Sequence, residues 1–195
     1  MLNQPEELIR KLKQGDQLGF VAVMDQYQHM VYNTAVGIVQ NEEDADDITQ
    51  EVFEQVYLSI GSFKGESKLS TWLYRISISK ALDHEKKKKR KKRFGIVKSL
   101  FGNSDSEKYT PIEFYHPGVQ LEQKERAAEL FAALKKLPDK QRVAFTLHKL
   151  EGQSHQEIAE IMNKSLYAVE ALMGRAKANL KSLLHNYYYE NLSDQ

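Results

Sequence analysis

Apolar side chains recur at steps of three and four residues along most of this chain, and this spacing restricts its fold more than any other feature. After Asp16, the first such stretch places apolar residues at Phe20, Met24, Tyr27, Val31, Ala35 and Ile38. A stripe of this kind marks one face of an amphipathic helix. Only four prolines occur in 195 residues, and we find no convincing alternating pattern of a strand. The sequence therefore predicts an all-α protein.

The helical periodicity fades from Gly95 to about Gln120, where Gly, Ser, Asn, Asp and Pro accumulate. That composition is typical of a linker, so two helical domains are predicted. Their predicted bounds are residues 1–94 for the first domain, 95–122 for a flexible linker, 123–187 for the second domain and 188–195 for a tail with no assigned role. In the first domain, Asn41 is expected to cap a helix, and Gly61 to Ser70 is expected to be a loop.

Composition argues against several classes of function. The chain has no cysteine, which excludes disulfides and thiolate metal sites and favours a reducing, cytoplasmic location. The six histidines lack metal-ligand spacing, and no glycine-rich phosphate loop is present, so we expect neither a cofactor, a metal nor an enzyme. The first residues lack the apolar run of a signal peptide, and no stretch reaches the ~20 apolar residues of a membrane span, so no membrane insertion is expected.

One predicted helix, after Asn41, carries an excess of acidic and polar side chains on the face opposite its apolar stripe: Asp46, Asp47, Gln50, Glu51 and Glu54. Acids in the first turn of a helix suit its dipole, but Glu51 and Glu54 lie beyond that turn and repel their neighbours. Few bases balance them in the local sequence. An arginine-bearing partner would relieve this repulsion through charge-assisted hydrogen bonds, whereas the alternative is a solvated helix face.

A basic run, Lys86 to Arg93, places eight positive residues in succession in a chain whose net charge is only +1. The run follows directly on a predicted helix that contains Trp72. Two or three cations would be enough to complement the dipole at a helix end. The excess favours binding to nucleic-acid phosphates, which positions a duplex without reading its sequence.

Near the C-terminus, Ser154 and Glu157 have the spacing of a capping box at the start of a short helix. A break at Asn163, Lys164 and Ser165 separates it from a longer helix. A short helix, a three-residue turn and a longer helix predict a helix-turn-helix, whose second helix lies in the DNA major groove. A plain helical hairpin is the alternative, although the nearby bases favour DNA.

Four segments carry a family resemblance: KQGDQLGF, NEEDADDITQEVFEQVY, SFKGESKLSTWLYRI and LPDKQRVAFTLHKLEGQSHQEIAEIMNKSLYAVEALMGRAK. Together and in this order, they resemble the extracytoplasmic-function (ECF, group IV) sigma factors of bacterial RNA polymerase. The resemblance implies an N-terminal region-2-type helical bundle and a C-terminal region-4-type helix-turn-helix. It also implies core RNA polymerase, promoter DNA and an anti-sigma factor as partners.

The resemblance also assigns roles to residues of this chain. The DDITQE stretch, within the face Asp46 to Glu54, would dock on the coiled coil of the polymerase clamp. The loop from Ser62 to Leu69 would capture a base flipped from the minus-ten element. Together with the helix and basic run that follow, this gives a minus-ten set of Lys64, Ser67, Lys68, Arg75, Ser79, Lys80, Lys86, Lys87, Arg90 and Arg93. Family members often have asparagine at Ser79, and serine cannot pair bidentately with a base edge.

The second helix of the C-terminal pair would read the minus-thirty-five element. The residues implied there, within a helix-turn-helix over 155–174 and just beyond it, are Lys164, Ser165, Tyr167, Ala168, Glu170, Ala171, Arg175 and Lys177. Family members typically carry Arg or Lys at the position of Glu170, which could instead accept from a cytosine amino group or point away. A stand-alone helix-turn-helix regulator is the main alternative, and a helical adaptor that binds only protein is a third.

Overall fold

The computed structural model describes residues 5–99 and 129–192, with side chains described for 7–91 and 129–185. Every regular element in these ranges is helical, so the all-α prediction is confirmed. In chain order the elements are α1 (Pro5–Lys13), α2 (Gln17–Val39), α3 (Glu42–Ser59), a 3-10 turn (Ile60–Ser62), α4 (Leu69–Ser99), α5 (residues 129–135), α6 (Asp139–Lys149), α7 (His155–Met162) and α8 (Leu166–Leu192).

Helix α1 was not predicted from the sequence. It buries Leu8 and Leu12 and packs against α2. Gly19 of α2 makes this approach possible, because a Cβ at Gly19 would lie 2.7 Å from the Cβ of Lys11. An isolated helix of nine residues is marginal in water, so α1 depends on this packing for its stability.

The C-terminal part of α2 is buried on all sides. Its residues from Thr34 to Val39 are all buried, because α3 and α4 cover one side and α6 covers another. The helix ends at Gln40, which adopts the left-handed conformation with φ 58°. The Gln40 side chain donates a hydrogen bond to the Gly37 carbonyl at 2.6 Å, which stabilises an ending usually made by glycine.

Local capping residues set the starts of several helices. Asn41 accepts a hydrogen bond from the Asp44 amide at 2.8 Å, which confirms the predicted cap of α3. Ser154 and Glu157 form the predicted capping box at the start of α7. Asn163 turns the chain with φ 50°, and the Ser165 hydroxyl accepts from the Ala168 amide at 3.2 Å, so the predicted break and cap of the helix pair are also confirmed.

Helix α4 differs from its predicted extent at both ends. It begins at Leu69, so the last two residues of the predicted loop are helical, and it continues to Ser99, past the predicted domain boundary at residue 94. The rest of the predicted linker and the last three residues of the tail lie outside the described residues. In the described ranges, no helix is long and apolar enough to cross a membrane.

The N-terminal domain (α1–α4) and the C-terminal domain (α5–α8) pack directly against each other. Helix α2 contacts α6, and α4 contacts α7. The buried apolar residues of both domains form one continuous cluster that includes Val36 and Leu73 on one side and Leu134 and Leu147 on the other. Sequence periodicity assigns inward faces to single helices, but it does not predict this contact between domains.

Candidate polymerase and promoter interfaces

The acidic face of α3 is largely open to solvent. Asp46, Asp47, Gln50 and Glu54 are exposed, while Ala45, Ile48 and Val52 on the opposite face are buried. The three- and four-residue spacing of a helix separates these two sets of side chains. A partner with a basic surface could therefore approach these acids without moving the core.

Bases from another helix pair with two of the acidic residues of α3, Glu51 and Asp44. Glu51 is half-buried, and its carboxylate lies 3.3 Å from the Lys80 ammonium of α4. Asp44 lies 2.9 Å from the Lys88 ammonium and 3.1 Å from the His84 ring. These bases come from a helix remote in sequence, so local charge counting missed them. They join α3 to the start of the basic run.

The loop before α4 forms one wall of a cavity of about 740 Å³. Lys64, Ser67 and Lys68 of the predicted minus-ten set line it. Lys13 of α1 and Tyr27 of α2 line the facing side, and neither was predicted to belong to this site. Burial raises the pKa of the Tyr27 hydroxyl, which therefore stays a neutral hydrogen-bonding group.

Trp72 lies behind this loop, and its ring centroid is 5.1 Å from that of Phe63. The indole is half-buried and packs against the core, as its helical spacing predicts. Phe63 is itself buried and follows the 3-10 turn directly. This aromatic pair therefore anchors the start of the loop, and the exposed Lys64, Gly65 and Glu66 project beyond it.

The predicted minus-ten residues of α4 do not all face the same way. Arg75 donates to the carbonyls of Glu160 and Ile161 in α7, at 2.8 and 3.3 Å. Lys80 faces α3 and pairs with Glu51, whereas the Ser79 side chain is exposed. A cavity of about 520 Å³ on this side of α4 is lined by Ser79, Lys87 and Arg90 among others.

The basic run lies within the continuous helix α4 as far as its side chains are described. Lys86 lies 3.0 Å from Asp83, and Lys89 lies 3.6 Å from Glu85, so intramolecular acids hold part of the run. Lys87 and Arg90 are exposed and share one cavity wall. The side chain of Arg93 lies outside the described residues.

The helix-turn-helix is formed by α7, the turn at residues 163–165 and α8. Ile158, Ala159 and Ile161 of α7 pack inward together with Val169 and Met173 of α8. The opposite surface of the turn and α8 exposes Ser165, Tyr167, Glu170, Arg175 and Lys177 of the predicted minus-thirty-five set, while Lys164, Ala168 and Ala171 are half-buried. Tyr167 is 81% exposed, which is unusual for an aromatic side chain of a folded domain. Glu170 is exposed, and within the described residues its side chain forms no ion pair.

Comparison with known proteins matches both halves of the chain. The model of sigma-70 region 2 matches residues 23–91, and that of sigma-70 region 4 matches residues 127–180. The RNA polymerase sigma-H factor of Pseudomonas aeruginosa is 30% identical over 188 residues, which cover 93% of this chain and 94% of that protein. The ECF sigma factor SigW of Bacillus subtilis is 31% identical over 182 residues, or 91% and 95% of the two chains.

The chain belongs to the ECF sigma factors. Like its family, it directs RNA polymerase to initiate transcription at promoters. Two solved structures share the fold. CnrH, in complex with the cytosolic domain of CnrY, has a TM-score of 0.67 at 22% identity and covers 93% of this chain and 97% of that one. RpoE of Bartonella quintana, in complex with the anti-sigma factor NepR, has a TM-score of 0.61 at 20% identity, with 85% and 96% covered.

In this sigma factor, the polar residues that join the two domains where they pack together were not predicted from the sequence. The Tyr74 hydroxyl donates to the Glu151 carboxylate at 2.9 Å and accepts from the Gln153 amide at 3.2 Å. Burial raises the pKa of Glu151, although hydrogen bonds from Tyr74 and Asn33 oppose that shift. Burial and the neighbouring Glu151 raise the pKa of Tyr74 as well, so its hydroxyl remains a donor. Polar residues of this kind give no periodic signal.

The described residues contain no cluster of His, Asp or Glu that could hold a metal ion. The residues predicted to form the polymerase and promoter interfaces are mostly charged or polar. The sigma-factor family acts in transcription initiation.

Proposed function

We propose that the two domains divide the work of promoter recognition. The N-terminal domain docks on core RNA polymerase through α3 and helps to melt the minus-ten element, and the C-terminal domain reads the minus-thirty-five element. The observation that carries this proposal is the exposed acidic face of α3, which lies within the matched region 2 segment, on the same domain as the loop cavity and basic run. A stand-alone regulator would have no use for such a face.

The proposed polymerase dock consists of Asp46, Asp47, Gln50, Glu51 and Glu54. Four of these side chains are exposed, and their carboxylates and amide can accept hydrogen bonds from arginine or lysine of a partner. Glu51 differs because Lys80 already pairs with it. We assign it to the edge of the dock, where Lys80 orients it.

The proposed minus-ten site begins at the loop cavity. A flipped base needs a recess with polar edges, and the cavity offers Lys64, Ser67 and Lys68 with Tyr27 facing them. Arg75, Ser79 and Lys80 continue the site along α4. From there Lys86, Lys87, Arg90 and Arg93 bind the DNA backbone, which adds affinity but no sequence preference.

The proposed minus-thirty-five site is the exposed face of α8. Tyr167 and Glu170 can reach base edges, because both side chains leave the helix near its N-terminus and are exposed. Arg175 and Lys177 lie further along the helix and suit phosphate contacts. Lys164, Ser165, Ala168 and Ala171 complete the groove-facing set. Glutamate accepts hydrogen bonds only, so we infer a preference for cytosine at the base that meets Glu170.

An anti-sigma factor is a further proposed partner. The two solved relatives with the same fold were each captured with a protein partner, CnrY for CnrH and the anti-sigma factor NepR for RpoE. We infer that a comparable partner binds this chain. We also infer that the chain acts in the cytoplasm, where the polymerase and promoters are. We assign no catalytic step to the chain itself.

A titration of labelled protein with purified core RNA polymerase tests the dock. Asp47→Lys is the sharpest variant, because Asp47 is exposed and its reversal leaves the Glu51–Lys80 pair intact. We expect it to weaken binding at least about tenfold, as loss of a charge-assisted hydrogen bond implies. Asp25→Lys makes the same charge change on the exposed surface of α2 and should bind like the wild type.

Equal binding by the two variants would remove α3 from the dock. If the wild-type protein failed to bind core polymerase but still bound duplex DNA in a salt-sensitive way, the sigma mechanism proposed here would give way to a stand-alone helix-turn-helix regulator. If it bound core polymerase but the complex bound no promoter DNA, the helical adaptor would be favoured.

A further inference from the structure

The centre of the contact between the domains is a glycine that leaves no room for a side chain. A Cβ at Gly37 of α2 would lie 2.5 Å from Cγ2 of Thr146 in α6 and 2.9 Å from Cδ1 of Leu150. Thr146 is fully buried, and its hydroxyl donates to the Gly37 carbonyl at 3.1 Å. The backbone of one domain is therefore in direct contact with a side chain of the other.

Polar contacts surround this point on both sides. The Tyr74, Glu151 and Gln153 network lies on one side and reaches Asn33 of α2. On the other, the guanidinium of Arg142 in α6 lies 3.8 Å from the carboxylate of Glu85 in α4. Arg142 is 1% exposed, and its guanidinium pairs both with Asp139 of its own helix, at 3.0 Å, and with Glu85 across the contact. Such matched buried groups favour one defined arrangement of the domains.

The same contact occupies residues that are proposed to bind DNA. Arg75 donates to two carbonyls at the C-terminal end of α7, where the helix dipole also favours a cation. Lys68 of the base-capturing loop lies 3.8 Å from Glu157 of α7. Lys164 of the helix-turn-helix lines a cleft of about 280 Å³ together with Arg75. Arg75, held by the two α7 carbonyls, cannot donate the same hydrogen bonds to a phosphate or a base.

The distance between the two promoter elements makes the conflict sharper. Positions minus ten and minus thirty-five are separated by about 25 base pairs, or about 85 Å along B-form DNA. In this structure, by contrast, the minus-ten residue Arg75 is within hydrogen-bonding distance of α7 of the helix-turn-helix. The arrangement described here cannot engage both elements of one promoter.

We propose that the contact between Gly37, Thr146 and the polar residues around them is an autoinhibitory lock, which holds the free protein closed and keeps the two DNA-binding surfaces against each other. Promoter binding then requires the domains to separate. This inference rests on the proposed function for its biological meaning, but the closed packing itself can be tested without polymerase.

The first test measures the distance between the domains. Because the chain has no cysteine, Gln28→Cys on α2 and Ala178→Cys on α8 give two unique and exposed sites for spin labels. Double electron–electron resonance on the free, full-length protein should give one narrow, short distance. Gly37→Ala should replace it with longer distances, because its Cβ would overlap the buried Thr146. Gly61→Ala is the matched control, since open space surrounds Gly61.

A second substitution should reverse the effect. Thr146→Ala removes both Thr146 atoms that Cβ of Gly37→Ala would meet and leaves only the flexible end of Leu150 nearby. The double variant should therefore return to the short distance. Should Gly37→Ala fail to fold, as judged by circular dichroism, Glu85→Gln opens the opposite side of the contact by removing the carboxylate that faces Arg142.

The second test measures DNA binding by the free protein to a duplex of arbitrary sequence. Opening releases Arg75, so the slope of log K against log salt should become steeper by about 0.9 in Gly37→Ala. An unchanged short distance in Gly37→Ala, or a long distance in the wild type, would refute the lock. Opening with an unchanged slope would refute its inhibitory role. Failure of the wild type to bind core polymerase would instead reject the proposed function and leave the closed packing standing.

Discussion

The basic run of α4 allows two variants with the same charge change to be compared, and they should behave in opposite ways. Lys87→Gln with Arg90→Gln removes two exposed cations that line the cavity beside Ser79. Lys88→Gln with Lys89→Gln removes two neighbouring cations that lie 2.9 Å from Asp44 and 3.6 Å from Glu85. Both variants lower the net charge by two, so a nonspecific charge effect would be equal in the two proteins.

The structure supplies the expected magnitudes. Each phosphate contact contributes about −0.9 to the slope of log K against log salt, so losing Lys87 and Arg90 should flatten that slope by about 1.8. Between 50 and 200 mM salt, the affinity of this double variant would then fall by a factor about twelve times smaller than the factor for the wild type. Lys88 and Lys89 face acids that are only 18% and 8% exposed, and their loss should change the slope little. Unfolding should instead become easier by about 1 kcal/mol.

Fluorescence anisotropy with a labelled duplex gives the slope, and urea denaturation gives the free energy of unfolding. Equal slopes for the two variants would refute the reasoning, because they would mean that the intramolecular pairs of Lys88 and Lys89 do not compete with phosphate. A flat response in both would remove the basic run from the DNA-binding surface altogether.

Two further substitutions test single contacts. Burial raises the pKa of Glu151, so the closed arrangement gains stability as the pH falls through that raised value and loses it as the pH rises. Glu151→Gln should remove this part of the pH dependence. The measurement compares the spin-label distances of the wild type and Glu151→Gln between pH 7 and pH 5. Both proteins keep the pairs of Glu85, Asp139 and Glu157, which weaken on acidification, so identical profiles would contradict the assignment to Glu151. Ser154→Ala removes the cap of α7 and should lower the free energy of unfolding by about 1 kcal/mol in urea denaturation. Ser154 lowers the pKa of Glu157 through backbone and side-chain hydrogen bonds, so Ser154→Ala should also bring that pKa back toward its ordinary value in an NMR titration. An unchanged pKa would show that the side-chain hydrogen bond is unimportant in solution.

Features that depend on neighbouring residues were predictable from the sequence. Asn41 and Ser154 each cap a helix by accepting from an amide three residues away, so their identity and position are enough to locate a helix start. The turn at Asn163 is similar, because asparagine tolerates the left-handed conformation. The apolar stripes also led to buried side chains such as Val31 and Ile158.

Features that depend on distant residues were not predictable in this way. Helix α1 has too few residues for its pattern to stand out, and Leu8 and Leu12 become core residues only through α2. The pairing of Asp44 with Lys88 joins positions that are 44 residues apart. Likewise, Gly37 only lowers the helix propensity of α2 in the sequence, and its role becomes clear when Thr146 packs against it in the fold. Each of these needs the tertiary fold before its role can be read.

The unbroken course of α4 sets a distance as well as a shape. The helix begins at Leu69, beside the base-capturing loop, and Arg90 lies in the same helix without an intervening break. At 1.5 Å per residue these two positions are about 32 Å apart along the axis, close to the length of about nine base pairs of duplex. Inserting one residue would turn everything beyond it by about 100°. On the proposed function, α4 is therefore a molecular ruler that fixes how far the phosphate clamp lies from the captured base, and in which direction it points.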